Sequence, residues 1–416
     1  MGLTPPQALE AAQRFRPGSR PEQKAREDMD QWTVSGSLSP FRPLHRVALH
    51  DEAGTELYVS GRTGEVVRDT TSHERIWNWL SANLHWIYPF QLVRHRDLWT
   101  DIVVWLSIAA TLLAVTGLAA GLLRWRFKRR YRNGRRSPYL GWARWHHMGG
   151  LVAGIFVLTW IFSGLMSMNP WKLFPAKTAA PDELVRFYGG ELDTGTFSRS
   201  LVATLRDQDA KVKEIVWARF AGRPYYVFYG APHESLLYAA DRLEPGNKQF
   251  SASDILERAR VLIPGATLTR SDWLTQYDNY WYSRDHRESL RVLPVLRVRF
   301  DDAAATWFHV DPHSGQIIER LSRANRVQRW LYNGLHSLDF NFLLRHRPAW
   351  DAVMILLALM GFMLSVTGVV MGIRRPSGYR AGRMFVGGRR RASGLRPEAA
   401  WSPDPGNRNT ALDRRA

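Results

Sequence analysis

The chain has no cysteine among its 416 residues. A disulfide framework, a thiolate metal site and a cysteine nucleophile are therefore excluded. It has no HExxH motif and no acidic pair at metal-ligand spacing, so zinc hydrolysis has little support. Neither a GxGxxG nor a P-loop occurs, which argues against a flavin, nicotinamide or ATP domain. Residues 1–44 hold no apolar span and no signal-peptide pattern. Acids are also scarce: 38 Asp+Glu face 57 Lys+Arg, giving a net charge of +19. Such an excess suits a nucleic-acid binder or a membrane protein with basic loops, and its location decides between them.

Three long apolar runs are present. Ile102–Leu123 and Ala352–Ile373 each cover 22 residues without a charge, and Met148–Trp171 covers 24. At about 1.5 Å per residue each spans the roughly 30 Å hydrocarbon core, and each is apolar all round. Three transmembrane helices follow. Between the first two runs, Arg124–Arg144 carries nine basic residues and no acid; after the third, Arg374–Pro397 carries eight more. The positive-inside rule places both stretches in the cytoplasm, with residues before Asp97 and from Lys172 to Pro348 on the other side. The charge marks topology, so nucleic acid is not an expected partner, whereas anionic membrane lipid is. An exported N-terminus without an export signal leads to the expectation that a preceding helix is missing from this start.

An offset of 251 residues aligns the chain with itself without gaps. Leu84–His85 falls on Leu335–His336, Arg94–His95–Arg96 on Arg345–His346–Arg347, and Val115–Thr116–Gly117 on Val366–Thr367–Gly368. Upstream, Thr63–Gly64–Glu65–Val66–Val67 falls on Ser314–Gly315–Gln316–Ile317–Ile318. A match this long at one register indicates an internal two-fold repeat. Each half reads as strand, Gly turn, strand, aromatic helix, His-containing loop and membrane helix. Strands are also expected at Ile215–Phe220, Tyr225–Tyr229 and Val295–Phe300, with a helix at Ser253–Leu262.

These residues resemble the PepSY-associated transmembrane family. Its hairpin turn is matched by Asp311-Pro312-His313-Ser314-Gly315-Gln316-Ile317, and its "His-[RH]-x-x-Gly-Leu" helix motif by His146-His147-Met148-Gly149-Gly150-Leu151. Its "Leu-His" pair occurs twice, at Leu84-His85 and Leu335-His336. The resemblance implies a multi-pass protein of the bacterial inner membrane with a cytoplasmic C-terminus. The expected fold is an α-helical integral membrane protein with three transmembrane helices and an extracytoplasmic α+β PepSY-like domain. The divisions are a polar segment (1–44), a first PepSY-like hairpin with amphipathic helix (45–97) and membrane helices at 98–123, 146–171 and 350–373. A basic cytoplasmic loop (124–145), the extracytoplasmic domain (172–349) and a mostly disordered basic tail (374–416) complete the chain. Members typically open with one further membrane helix bearing its own histidine.

Some members look like haem b reductases or uptake factors for ferric siderophores, which implies iron uptake through an oxidoreductase. The electron donor would be a membrane quinol or a cytoplasmic reductase. Thirteen histidines are present, and five sit in patterned positions at membrane boundaries. Axial ligation needs imidazoles on facing elements in an apolar slot. His85 with His336 is the natural pair between the halves, and His95 with His346 a second. His146, at the other end of its span, suits a second haem. The cluster around Tyr280, Trp281 and Arg284 is a candidate platform for a ferric complex, or else a hairpin with its aromatics in the core. A different reading keeps the family and drops the enzyme: a PepSY membrane protein that binds or regulates an envelope protein or peptidase.

Overall fold

The computed structural model describes residues 2–132, 134–197, 212–230, 235–241, 248–284 and 291–374. Asp285 and His286 of the aromatic cluster, and the basic tail beyond Arg374, lie outside them. Residues 1–367 form one unit; of the second, from Gly368 on, the described part is the end of the last helix and Arg374.

The polar N-terminal segment is folded. Thr4 and Pro5 start helix α1 (Pro5–Phe15), since proline suits the first helical position. Strand β1 (Glu22–Glu27) pairs with β2 (Leu44–Ala48), which continues through β3 (Glu56–Ser60) to β4 (Val66–Thr70) as an antiparallel meander. Ala8 and Ala12 of α1 close a core with Val47, Leu57 and Val59. Alternating charged residues make β1 look like coil, because its side chains face outward at a sheet edge.

Thr71 then caps α2 (Ser72–Trp86) through a capping box with Glu74. A left-handed Ile87 ends it; short α3 (Phe90–Val93) and long α4 (Arg96–Arg124) follow. Helix α5 (Gly141–Ser167) returns alongside α4. Gly154 permits the approach, since a Cβ there would meet Leu118 at 3.1 Å. The second apolar run outlasts its helix: Asn169 and Trp171 take positive φ, so the chain turns before Trp171.

Helix α6 (Pro181–Tyr188) leads to a three-stranded sheet, β5 (Glu214–Phe220), β6 (Arg223–Tyr229) and β7 (Ser235–Ala239). Helix α7 (Ala252–Ala259) and a second four-stranded meander follow: β8 (Leu268–Leu274), β9 (Val295–Phe300), β10 (Trp307–Val310) and β11 (Ile317–Leu321). Phe187, Phe220, Val227, Ile255, Leu296 and Phe308 join both sheets and their helices in one core. Ser322 caps α8 (Arg323–Arg329), which runs through a π-helical turn (Trp330–Gly334) into α9 (Leu335–Ser337). Then come α10 (Asn341–Leu344) and α11 (Ala349–Ile373).

Element boundaries keep the 251-residue spacing: β4 lies that far before β11, and α3 before α10. Gly64 and Gly315 both turn with positive φ, 78° and 69°, where a side chain is disfavoured. Ile87 and Leu338 share φ of 52° and 50° despite carrying Cβ atoms. Helices α4, α5 and α11 are long and apolar enough to cross a membrane.

Candidate functional site

His85 is the penultimate residue of α2, and His336 the middle residue of α9. Their ring centroids lie 5.9 Å apart with planes at 60°. Two imidazoles on opposite sides of one metal ion stand roughly 6 Å apart, centre to centre, from metal–nitrogen bonds of about 2.0–2.1 Å. Among the described residues no three His, Asp or Glu gather as a metal cluster. A two-nitrogen set suits a metal whose remaining positions are filled by a ligand of its own, such as a porphyrin.

The tautomer of His336 is fixed by α5. The Ser163 hydroxyl lies 3.0 Å from the Trp160 carbonyl and 3.0 Å from His336 Nδ1. With its one proton given to that carbonyl, the Ser163 oxygen accepts from Nδ1–H and leaves Nε2 with a free lone pair. Burial lowers the His336 pKa, and the neighbouring His85 lowers it further. A backbone hydrogen bond to Trp160 acts the other way. The imidazole is therefore neutral at pH 7, the state in which histidine is a ligand. Arg284 donates from Nη2 to Ser337 Oγ at 3.2 Å, next to His336.

The same device recurs at the other end of α5. His146 Nδ1 lies 3.0 Å from Thr367 Oγ1 on α11, and that hydroxyl donates to Leu364 O at 2.8 Å. His146 Nδ1–H then donates to Thr367, and Nε2 is again the free nitrogen. Its neighbour His147 is 8% exposed, and both of its nitrogens are engaged: Nδ1 with Ser137 Oγ and Nε2 with the Gly121 carbonyl, each at 2.8 Å. His147 ties the end of α4 to α5 and has no nitrogen left to offer.

His95 and His346 are both exposed, and no ring contact or hydrogen bond joins them among the described residues. His95 sits at the N-cap of α4, and His346 Nδ1 lies 2.5 Å from the Phe342 carbonyl. Tyr280 and Arg284 line a cavity beneath the second meander. Trp281 does not: it is 1% exposed, stacked on His309 with centroids 4.8 Å apart, and donates to the Val292 carbonyl. The aromatic segment is irregular chain, and its tryptophan belongs to the core. Sequence reading did not single out Ser163 or Thr367. Thr367 stood inside the repeated Val-Thr-Gly block and Ser163 inside an apolar run, the one signal available for each.

Residues 3–211 match the family model described as the PepSY-associated TM region. No curated protein matches the chain.

Proposed function

Because the chain belongs to the PepSY-associated transmembrane family, we propose that it is a haem b protein of the bacterial inner membrane. It passes electrons across the bilayer to an extracytoplasmic acceptor, a ferric siderophore. The observation that carries this reading is the His85–His336 pair, 5.9 Å between centroids, with one imidazole held in the ligating tautomer. A bound haem supplies one-electron transfer there.

The rest is the work of the chain's own residues. His85 and His336 present imidazole nitrogens from two halves of an internal repeat, and Ser163 orients the second. Arg284, through Ser337, steadies the segment that carries His336. His146, oriented by Thr367, stands about 26 Å away along α5, 17 residues before Ser163 at about 1.5 Å each. That separation approaches the thickness of the hydrocarbon core, which supports the reading of His146 as a second haem ligand near the cytoplasmic face. The basic run Arg124–Arg144 holds that face inward, and electrons enter there from a quinol or a cytoplasmic reductase.

The test is the absorbance spectrum of the purified full chain in lipid nanodiscs. A Soret band with a bis-imidazole spin signature is expected, reduced in His85→Ala and His336→Ala and kept in His95→Ala and His346→Ala. Dithionite-reduced protein should be reoxidised by a ferric siderophore. Protein that takes up no haem overturns the reading, and an envelope protein co-purifying with it would establish the non-enzymatic alternative.

A further inference from the structure

Beneath the second meander, between β11 and the α8–π-turn segment, lies a cavity of about 230 Å³. Five cationic side chains line it: Lys177, Arg284, Arg291, Arg326 and Arg329. Among the described residues two carboxylates face them, Glu319 and Asp339, so the cations in the described lining outnumber the acids by three. The carboxylates are already committed. Asp339 takes Arg284 Nε and Nη2 at 3.2 and 3.0 Å, and Glu319 lies 3.4 Å from Arg291.

Among the described residues, Arg326 and Arg329 have no carboxylate of their own. Each is held by carbonyls and aromatic faces: Arg326 over Trp307 at 4.2 Å, Arg329 over Trp330 at 4.1 Å. Such contacts position a guanidinium without neutralising it. Arg329 is 5% exposed; its Nε donates to Asn279 O and its Nη2 to Asp339 O, while its Nη1 is buried with no partner among the described residues. An unpaired guanidinium nitrogen at that depth is costly unless something accepts from it. Tyr280 adds a donor: its oxygen accepts from Trp330 Nε1 at 3.1 Å, so its own proton is free.

We propose that this cavity is a binding site for a small oxyanion, a carboxylate or phosphate group held by Arg329, Arg326, Lys177 and Tyr280. Its volume lies below the roughly 300–1,000 Å³ of pockets for drug-sized ligands, so it takes one compact anion or one acidic group of a larger molecule. Arg329 has Nη1 left for such a group, and the two N–H bonds of that nitrogen suit an anionic oxygen. The proposal does not depend on electron transfer, and its test uses no haem.

The experiment is calorimetric titration of the full chain in zwitterionic nanodiscs, at fixed ionic strength, with inorganic phosphate and with citrate as probes. Saturable binding is expected. It should weaken about tenfold in Lys177→Gln and in Arg326→Gln, both on the cavity wall, and stay unchanged in Lys24→Gln, a surface cation elsewhere. Arg329→Lys, which keeps the charge and loses the Nη1 donor, should weaken it as well; circular dichroism and gel filtration report whether each variant is folded. Nanodiscs containing phosphatidylglycerol separate the sources: loss of the titratable site there identifies a lipid headgroup as occupant, and an unchanged site identifies a soluble anion. No saturable binding in either lipid, or binding unaffected by both Lys177→Gln and Arg326→Gln, overturns the proposal.

Discussion

The two four-stranded meanders share strand order, turn positions and the helix that follows, yet differ in what holds them to that helix. Each carries an arginine at the same register of its second strand from the edge, Arg46 on β2 and Arg297 on β9. Arg46 is spread among three carboxylates at 3.5–3.9 Å and is partly exposed. Arg297 is 2% exposed, makes two hydrogen bonds to Asp278 at 2.6 and 3.0 Å, and donates from Nε to His309 Nε2 at 2.7 Å. A cavity lies at matching registers in each half, with Arg68, Asn78 and Tyr88 in one and Glu319, Arg329 and Asp339 in the other. The first is walled by Trp32, Trp86 and Tyr88, the second by charge. Helix α2 buries no residue and exposes Trp77, Trp79, Leu84 and Trp86, whereas α8 and the π-turn bury Asn325, Arg329 and Gly334. One backbone plan thus supports a loosely attached aromatic surface in one copy and a desolvated ionic cluster in the other. Such clusters constrain geometry more than they add stability, because desolvation offsets most of the attraction.

The largest contrast is expected from the two arginines. Removing one partner of a buried pair costs about 3–5 kcal/mol, whereas an exposed pair is worth at most about 1 kcal/mol. Denaturant unfolding should therefore show Arg297→Met destabilised severalfold more than Arg46→Met; equal losses would dissolve the distinction. Next comes pH. Burial of the His309 ring lowers its pKa and Arg297 lowers it further, with Glu319 opposing. Protonation would also displace the Arg297 bond. Between the lowered value and 6.5 the unfolded chain binds the extra proton, so stability present above pH 6.5 is lost as pH falls below it. Thermal melts from pH 7.5 to 5 should show this decline, and His309→Gln should flatten it. If the variant declines as steeply as the parent, His309 is not its source.

Smaller effects test the hydroxyls on α5 and α11. Ser163→Ala and Thr367→Ala each remove a hydrogen bond worth about 1 kcal/mol. Loss of such an orienting partner typically costs 10–100-fold in affinity for a metal held by the histidine. On the haem reading proposed above, haem retention measured against apomyoglobin should fall in both, and unchanged retention would mean the hydroxyls do not orient ligands. Smallest, and equal in the two halves, should be the helix caps: Thr71→Ala and Ser322→Ala each cost about 1 kcal/mol by the same backbone hydrogen bond. A clear inequality would show that the ionic cluster reaches as far as the start of α8.

Much of this framework is legible in the sequence. Uncharged runs report helices that must shed water, and the strand at Val295–Phe300 appears at its observed bounds because Leu296, Val298 and Phe300 alternate with arginines. The pairing of His85 with His336 follows from a repeat, since equivalent residues of two similar halves meet when the halves do. What is not legible depends on side chains meeting across long separations. Charged β1 looks like a linker until β2 is beside it. Trp281 reads either as part of a platform or as core, and the stacking of His309, 28 residues on, decides for the core. The cations of the second cavity come from separate stretches of the chain: Arg326 and Arg329 share α8, but nothing local ties them to Lys177, Arg284 or Arg291.

Helix α5 carries Ser163 near one end and His146 near the other. It therefore works as a ruler. Changes in the length of the loops on either side leave the distance between its two marks untouched, because a helix transmits length along its own axis. A four-residue insertion between the marks would lengthen the interval by about 6 Å and rotate one end by about 40° relative to the other. The gap between the two histidine sites is thus written in a count of residues within one helix, and it shifts only in whole steps of that count.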